Sequence, residues 1–186
     1  MPEPVAVFLR GINVGGVRIK MDVLKTVFVE MGFTSVQTLL ATGNVIAAPP
    51  DDHPAIPQLT ARIELGLSET FGYEAHVIIR SRAQIATILA GARAVAVPDD
   101  AHLYVLLCDD QALPAELHML FDNLPHMTQE QFTLVEHDAF WIVPKGSTLE
   151  SGFGNKVLGS KKYRSRLTSR NINTVQKVHE AMLRGG

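Results

Sequence analysis

A glycine-rich stretch near the start of the chain has the residue types of an anion-binding loop. It reads Leu9-Arg10-Gly11-Ile12-Asn13-Val14-Gly15-Gly16 and lies between an apolar run, Val5–Leu9, and a helical pattern that begins at Met21. A turn between a strand and a helix can direct backbone N–H groups at an anion. The alternative is that the glycines only supply positive φ in a tight turn. The candidate ligand contacts are Arg10, Gly11, Asn13, Gly15 and Gly16.

The loop matches neither of two common phosphate-binding motifs. It does not contain the dinucleotide fingerprint G-x-G-x-x-G. Gly11 and Gly16 have the spacing of a P-loop, but Val17 and Arg18 stand where that motif needs Lys and then Ser or Thr. The stretch therefore indicates an anion site without identifying the anion.

The second candidate is the basic segment, defined here as residues 156–170. It holds six Lys or Arg residues and no Asp or Glu. Lys and Arg neutralise phosphates, and Arg can bind them with two parallel hydrogen bonds. Arg170 precedes the last helical pattern, Thr174–Leu183, for which Asn173 and Gln176 are a reasonable N-cap pair. The alternatives are a solvated loop, or ion pairs with acidic residues from the middle of the chain. The ligand candidates in this segment are Lys162, Arg164 and Arg170.

Charge is distributed unevenly along the chain. The formal net charge is −2, yet residues 51–150 hold 5 Lys or Arg against 15 Asp or Glu, and residues 151–186 hold 8 against 1. Such asymmetry fits a phosphate or nucleic-acid surface, and equally a tail that docks on its own acidic middle. The sharpest hypothesis is a single pocket ringed by Arg10, Asn13, Lys162, Arg164 and Arg170.

Other chemistries have little support in the sequence. The seven histidines are scattered and form no H-x-x-x-H pair, so we expect no metal site, and no cofactor motif is present. The single Cys108 follows a strand-like run and precedes two Asp residues, which favours a core thiol over a nucleophile. Glu136-His137-Asp138 is interpreted as a solvated polar turn, Trp141 as core, and Tyr163 as packing or surface. Strand aromatics that could stack bases are sparse, which argues against an RNA-recognition sheet.

Two segments carry a resemblance to a known family. The glycine-rich stretch, followed by Met21 and Leu24 and then by Thr42-Gly43-Asn44-Val45, resembles the opening of the domain-of-unknown-function family 1697. Thr168-Ser169-Arg170-Asn171-Ile172-Asn173-Thr174-Val175 resembles a later segment of that family, with Ile172 where an aromatic residue is expected. The resemblance implies a fold of two ferredoxin-like halves. It implies no activity.

Composition indicates an ordinary globular protein of the cytoplasm. The 186 residues are 46% hydrophobic and 19% charged, and no apolar run approaches the ~20 residues of a membrane span. A lone cysteine fits a reducing compartment, and the N-terminus shows no secretion signal. We expect no membrane partner.

The order of elements predicts an α+β fold. Periodicity gives strands at Val5–Leu9, Val36–Leu40, Asn44–Ala47 and His76–Ile79, with helices at Met21–Met31 and after Pro57. This is the β-α-β-β-α-β order of a ferredoxin-like half, residues 1–80. A connecting helix and loop, 81–100, starts with a Ser81/Gln84 capping box. Residues 101–186 read β-α-β-β-α, so we predict two consecutive ferredoxin-like halves, the second incomplete.

Three functions remain open at this point. The first is a binding protein for a phosphate-bearing ligand, such as a nucleotide or RNA. The second is a protein–protein interaction module whose basic tail docks on an acidic surface. The third is an enzyme acting on a phosphorylated substrate, for which the sequence offers no identifiable proton-transfer group.

Overall fold

The structure, a computed structural model, describes residues 2–12, 17–51 and 55–184. The chain divides into two compact units, residues 1–85 with 177–186, and residues 86–176. Among the described residues, no helix is long and apolar enough to cross a membrane.

The first unit is built on a four-stranded antiparallel sheet with the strand order β2-β3-β1-β4. The elements in chain order are β1 Val5–Arg10, α1 Met21–Glu30, β2 Thr34–Leu39, β3 Asn44–Ala48, α2 Ile56–Phe71 and β4 His76–Ser81. This is the β-α-β-β-α-β order that the sequence predicted. The next helix, α3 Arg82–Arg93, begins with the predicted capping box: Ser81 N–H donates to Gln84 Oε1 and Gln84 N–H to Ser81 Oγ.

The helices of the first unit bury the apolar stripes that the sequence predicted. Leu24, Val27 and Phe28 of α1 are buried, as are Leu59, Ile63 and Leu67 of α2. Gly66 interrupts α2, where glycine costs ~1 kcal/mol relative to alanine. A Cβ at this position would lie 2.5 Å from Met31 Sδ, so the glycine makes room for the side chain that follows α1.

The second unit also contains a four-stranded antiparallel sheet, in the order β6-β7-β5-β8. Its elements are β5 Ala101–Cys108, α4 Leu113–Asp122, β6 Gln131–Val135, β7 Asp138–Pro144, α5 Gly152–Leu158, a 3₁₀ turn Lys161–Tyr163 and β8 Leu167–Asn171. The last helix, α6 Ile172–Arg184, begins in this unit and continues into the residues assigned to the first. The prediction of an incomplete second half was wrong, because β8 completes the β-α-β-β-α-β order. Only Leu167 and Thr168 of β8 are buried, so its sequence lacks the alternation of apolar and polar residues by which a strand is predicted.

The sequence also missed α5, because glycines stand at its start. Ser151 caps the helix, since its Oγ accepts the Gly154 N–H. A Cβ at Gly154 would lie 1.9 Å from Thr148 O and 2.8 Å from Trp141 Cη2. Close packing against Trp141, which is a core residue as predicted, therefore requires glycine within the helix.

Candidate functional site

The two opening segments of the family resemblance meet at the end of β1. Leu9 N–H donates to Gly43 O at 2.8 Å, and Phe8 pairs with Asn44 across β1 and β3. The turn before β3 is held by the buried Asn44 amide, whose Nδ2 donates to Leu39 O and to Thr42 Oγ1, each at 2.9 Å. At the end of β1, the beginning of the glycine-rich stretch therefore packs on a turn that is held in place by hydrogen bonds.

Gly43 is the tightest point of this contact. Its φ is +71°, and a Cβ there would lie 2.6 Å from Ile12 Cδ1 and 2.9 Å from Leu9 Cβ. Glycine is thus required both by backbone conformation and by space. Ile12 is buried, so the stretch is anchored to the core immediately after the exposed Gly11.

Gly11 has a φ of +73° and open space around an added Cβ. The positive φ agrees with the alternative interpretation, in which glycine serves the turn. Open space also means that the backbone there is accessible to a ligand. Asn13, Gly15 and Gly16 lie outside the described residues, so their predicted roles stay predictions.

Charged groups of both signs surround this end of the sheet. Arg10 is half-buried at the end of β1 and pairs in register with His76 of β4. The His76 Nε2 lies 3.5 Å from Glu74 Oε1, and its Nδ1 lies 3.9 Å from Glu64 Oε1. Arg18 is exposed where the described chain resumes. A cation, an imidazole and carboxylates thus lie within one region of the first unit.

In the basic segment, two cations are engaged by acids from earlier in the chain. Arg166 donates from Nη1 to Glu116 Oε2 at 3.1 Å and from Nη2 to Asp110 Oδ2 at 2.5 Å. Lys162 Nζ lies 2.6 Å from Glu116 Oε1. For these two residues the alternative prediction is confirmed, in which the tail pairs with the acidic middle of its own chain. We name Asp109, Asp110, Glu116, Lys162 and Arg166 the ion-pair cluster.

The pairing is reflected in the pKa values of the cluster. A hydrogen bond from Arg166 lowers the pKa of Asp110, and one from Lys162 lowers the pKa of Glu116. The Glu116 carboxylate in turn raises the pKa of Lys162. Desolvation raises the pKa of the more buried Asp109. Asp110 and Glu116 are therefore charged at neutral pH, where they pair with Lys162 and Arg166.

Tyr163 anchors the same segment from within the core. It is buried, its hydroxyl donates to Glu116 Oε1 at 3.0 Å, and Lys162 Nζ lies 4.9 Å from its ring centroid. The predicted packing role is confirmed.

The other two cationic candidates of the segment differ in environment. Arg164 is exposed in the loop that leads to β8. Arg170 is half-buried on β8, where its Nη1 donates to Thr168 Oγ1 and to Ser169 O, each at 2.8 Å. Arg10 and Gly11 belong to the first unit, whereas Lys162, Arg164 and Arg170 belong to the second. The hypothesis of one shared pocket stays a prediction.

The start of α6 differs from the predicted cap. The helix begins at Ile172, and Asn171 Oδ1 accepts the Asn173 N–H at 2.9 Å. Asn171 is therefore the residue that caps the first turn, and the prediction of an Asn173/Gln176 N-cap pair was wrong. Asn173 was misassigned because strand β8 runs directly into the helix without a loop.

Two buried carboxylates were not predicted from the sequence. Glu130 accepts hydrogen bonds from Met127 N–H at 3.0 Å, Trp141 Nε1 at 2.8 Å and Ser151 Oγ at 2.6 Å. Asp138 is also buried, and its Oδ1 accepts the Cys108 N–H at 2.8 Å, so the interpretation of residues 136–138 as a solvated turn was wrong at Asp138. Apart from Met127, their partners are 11 to 30 residues away, so no local pattern marks either side chain as buried.

The described residues contain no cluster of three or more His, Cys, Asp or Glu that could hold a metal ion. Cys108 is buried, and its Sγ donates weakly to Leu106 O at 3.5 Å, so the predicted core thiol is confirmed. Nucleophilic chemistry at this thiol would require access that the core does not give.

Comparisons with known proteins agree with this architecture. A solved structure, the conserved bacterial protein SP0830 from Streptococcus pneumoniae, matches with a TM-score of 0.77 at 18% identity, over 97% of this chain and 98% of that one. At this identity the likeness concerns the fold alone. The comparison with curated proteins found no match.

The family model described as "Protein of unknown function (DUF1697)" matches residues 3–140, which include both segments that meet at the end of β1. The match ends before the Thr168–Val175 segment. Since it covers more than half of the 186 residues, the chain belongs to the DUF1697 family.

Proposed function

We propose that this protein binds a phosphate-bearing ligand, such as a nucleotide or RNA, at the end of β1. The observation that supports the proposal is the fixed junction at which Leu9 N–H donates to Gly43 O, next along the chain to Arg10 and to Gly11 with its φ of +73°. Glycine at positive φ leaves backbone N–H groups uncovered, and a neighbouring Arg supplies the charge that a phosphate needs. Asn13, Gly15 and Gly16 complete the proposed contact set, by their place in the sequence. We also assign both halves to the ferredoxin-like class, on their element order.

The basic segment contributes less to this proposal than its composition suggests. Lys162 is already neutralised by Glu116 in its own chain, so a phosphate there would compete with a formed ion pair. Arg164 is exposed and Arg170 is half-buried, and both stay predicted phosphate contacts of the basic segment.

A thermal-shift panel of nucleotides, sugar phosphates and a short RNA, at low and moderate salt, tests the proposal. A ligand at 100 times its Kd adds about 2.7 kcal/mol of stability, which raises the Tm of a chain of this size by roughly 5–10 °C. We expect a shift that survives moderate salt, is lost in Arg10→Ala and is weakened in Arg10→Lys. Arg82→Ala is the matched control, because Arg82 is, like Arg10, a half-buried arginine of the same unit, and it pairs with Glu3.

A panel without any shift refutes the proposal, as does an equal shift in Arg10→Ala and the native protein. A shift seen only with RNA and erased by salt indicates a nonspecific basic surface instead, since phosphate contacts without a defined site are strongly salt-dependent.

The second candidate function is an interaction module. The ion-pair cluster favours it, because Lys162 and Arg166 are ordered by carboxylates rather than left for a ligand. Under this function, Arg164→Ala would change association with an acidic partner and leave the nucleotide panel unaffected.

An enzymatic function would need a proton-transfer group beside the anion site. His76 is the candidate, because it lies opposite Arg10 in the sheet and has a carboxylate oxygen within 3.9 Å of each ring nitrogen. If a substrate is found, replacement of His76 by Gln should lower turnover and leave ligand affinity nearly unchanged.

A further inference from the structure

Strand β6 is an open edge of the second sheet. It pairs with β7 on one side, and the part of the chain that the structure describes places no strand on the other. An edge strand presents unpaired N–H and C=O groups that can pair with another chain. Natural proteins usually protect such edges with charges, prolines or β-bulges.

The other three sheet edges carry such protection. In β2 the register shifts between Thr34 and Gln37, and Ser35 has a φ of +51°, which together bend the strand. Strand β4 contains Arg80, and β8 contains Arg170. These features make each of the three edges a poor template for continuous pairing.

All five residues of β6 are described, and none of them is charged or a proline. Its register with β7 is continuous from Gln131 to Val135. The sequence Gln-Phe-Thr-Leu-Val is rich in residues that favour strands. Gln131 and Thr133 are exposed, and Leu134 is 46% exposed although it is a large apolar side chain. This edge is thus both reachable and unprotected.

We propose that β6 is a self-association edge, at which a second copy of this chain adds its own β6 in antiparallel orientation. The strand is complementary to itself about Thr133. In that register Phe132 faces Leu134 of the other copy, Gln131 faces Val135, and the two Thr133 residues face each other. Within β6 no like charges are brought together, and apolar and Thr–Thr cross-strand pairs of this kind stabilise sheets. Just beyond the strand, Glu136 of one copy comes opposite Glu130 of the other, whose carboxylate is buried and hydrogen-bonded to Trp141 and Ser151.

Aromatic side chains packed beneath β6 hold the strand in position. Phe132 stacks on His118 of α4 at 5.4 Å between ring centroids, and it contacts Phe121 and Phe153 at 5.6 and 5.4 Å. The strand is therefore held in place before any partner arrives. Addition of the second copy joins two four-stranded sheets into one of eight strands, related by a two-fold axis at Thr133.

Sedimentation velocity of the full chain, from low to high micromolar concentration, tests the proposal. We expect a reversible monomer–dimer equilibrium for the native protein. Thr133→Lys and Thr133→Glu each place two like charges at the two-fold axis, and each should raise the dimer Kd by at least about tenfold. A mixture of the two variants brings opposite charges together and should restore dimers, which a folding defect could not do.

Gln37→Lys is the matched control, because it adds the same charge to an exposed position of the edge strand β2 in the first sheet. It should dimerise like the native protein. Hydrogen exchange should also show protection that rises with concentration and is confined to residues 131–135. A native protein that stays monomeric overturns the proposal, and so does a Thr133→Lys variant that dimerises normally or a Gln37→Lys variant that does not.

Discussion

Replacement of Gly43 by Ala tests the junction on which the proposed site rests. Glycine at this position has a φ of +71°, a conformation that costs an alanine about 1–2 kcal/mol. The added Cβ would also lie 2.6 Å from Ile12 Cδ1 and 2.9 Å from Leu9 Cβ. Ile12 can shift the end of its side chain, but Leu9 Cβ is held by the pairing of β1 with β4.

Relief of that overlap should cost a further 1–3 kcal/mol, roughly the penalty for overfilling a packed site. The total loss of unfolding free energy for Gly43→Ala is then about 2–5 kcal/mol. Gly72→Ala is the matched control, because Gly72 has a φ of +66° and open space around an added Cβ. Gly72→Ala should lose only the free energy that an alanine pays for a positive φ, about 1–2 kcal/mol.

Urea unfolding, followed by far-ultraviolet circular dichroism, which reports on the helices of the first unit, gives both free energies. Addition of Ile12→Val to Gly43→Ala removes the nearest atom, so the double variant should be more stable than the two separate losses predict, by about 1 kcal/mol. A Gly43→Ala variant that loses no more stability than Gly72→Ala contradicts the predicted overlap at Gly43. Additive losses for Ile12→Val and Gly43→Ala contradict it as well.

Three further predictions concern the second unit. Arg166→Ala should lose about 1–2 kcal/mol at pH 7, and Arg164→Ala almost nothing, because Arg166 pairs with carboxylates and Arg164 is exposed. Since pairing lowers the folded pKa values of Asp110 and Glu116, this difference should persist above their unfolded pKa values and shrink as pH falls through the folded ones, measured by urea unfolding at stepwise lower pH from pH 7. Asn171→Ala should lower the free energy of unfolding by about 1 kcal/mol while Asn173→Ala leaves it nearly unchanged, which thermal unfolding can resolve. Ser151→Ala should cost about 1–3 kcal/mol in urea unfolding, because it removes both the α5 cap and a donor to a buried carboxylate.

The sequence determined the elements whose signals are local. Apolar spacing placed α1 and α2, and alternation with a turn placed β2 and β3, because these patterns depend on residues a few positions apart. The Ser81/Gln84 capping box was readable for the same reason, since its two hydrogen bonds join residues three positions apart. The glycine-rich stretch could be recognised as a junction between a strand and a helix from its neighbours alone.

Tertiary structure decided which polar and charged side chains are paired with other groups of the same chain. Lys162 was a predicted phosphate ligand and Arg166 belongs to the same basic segment, yet their carboxylate partners lie 46 to 57 positions earlier and reach them only across the folded second unit. The buried Glu130 has the same origin, since its partners come from β7 and the cap of α5. Strand β8 was missed because its five residues carry no clear strand pattern. Its extended conformation is stabilised by hydrogen bonding to β5, a contact that forms only in the folded chain. Burial and long-range hydrogen bonding are properties of the assembled chain, and for that reason composition identified the basic segment but not its partners.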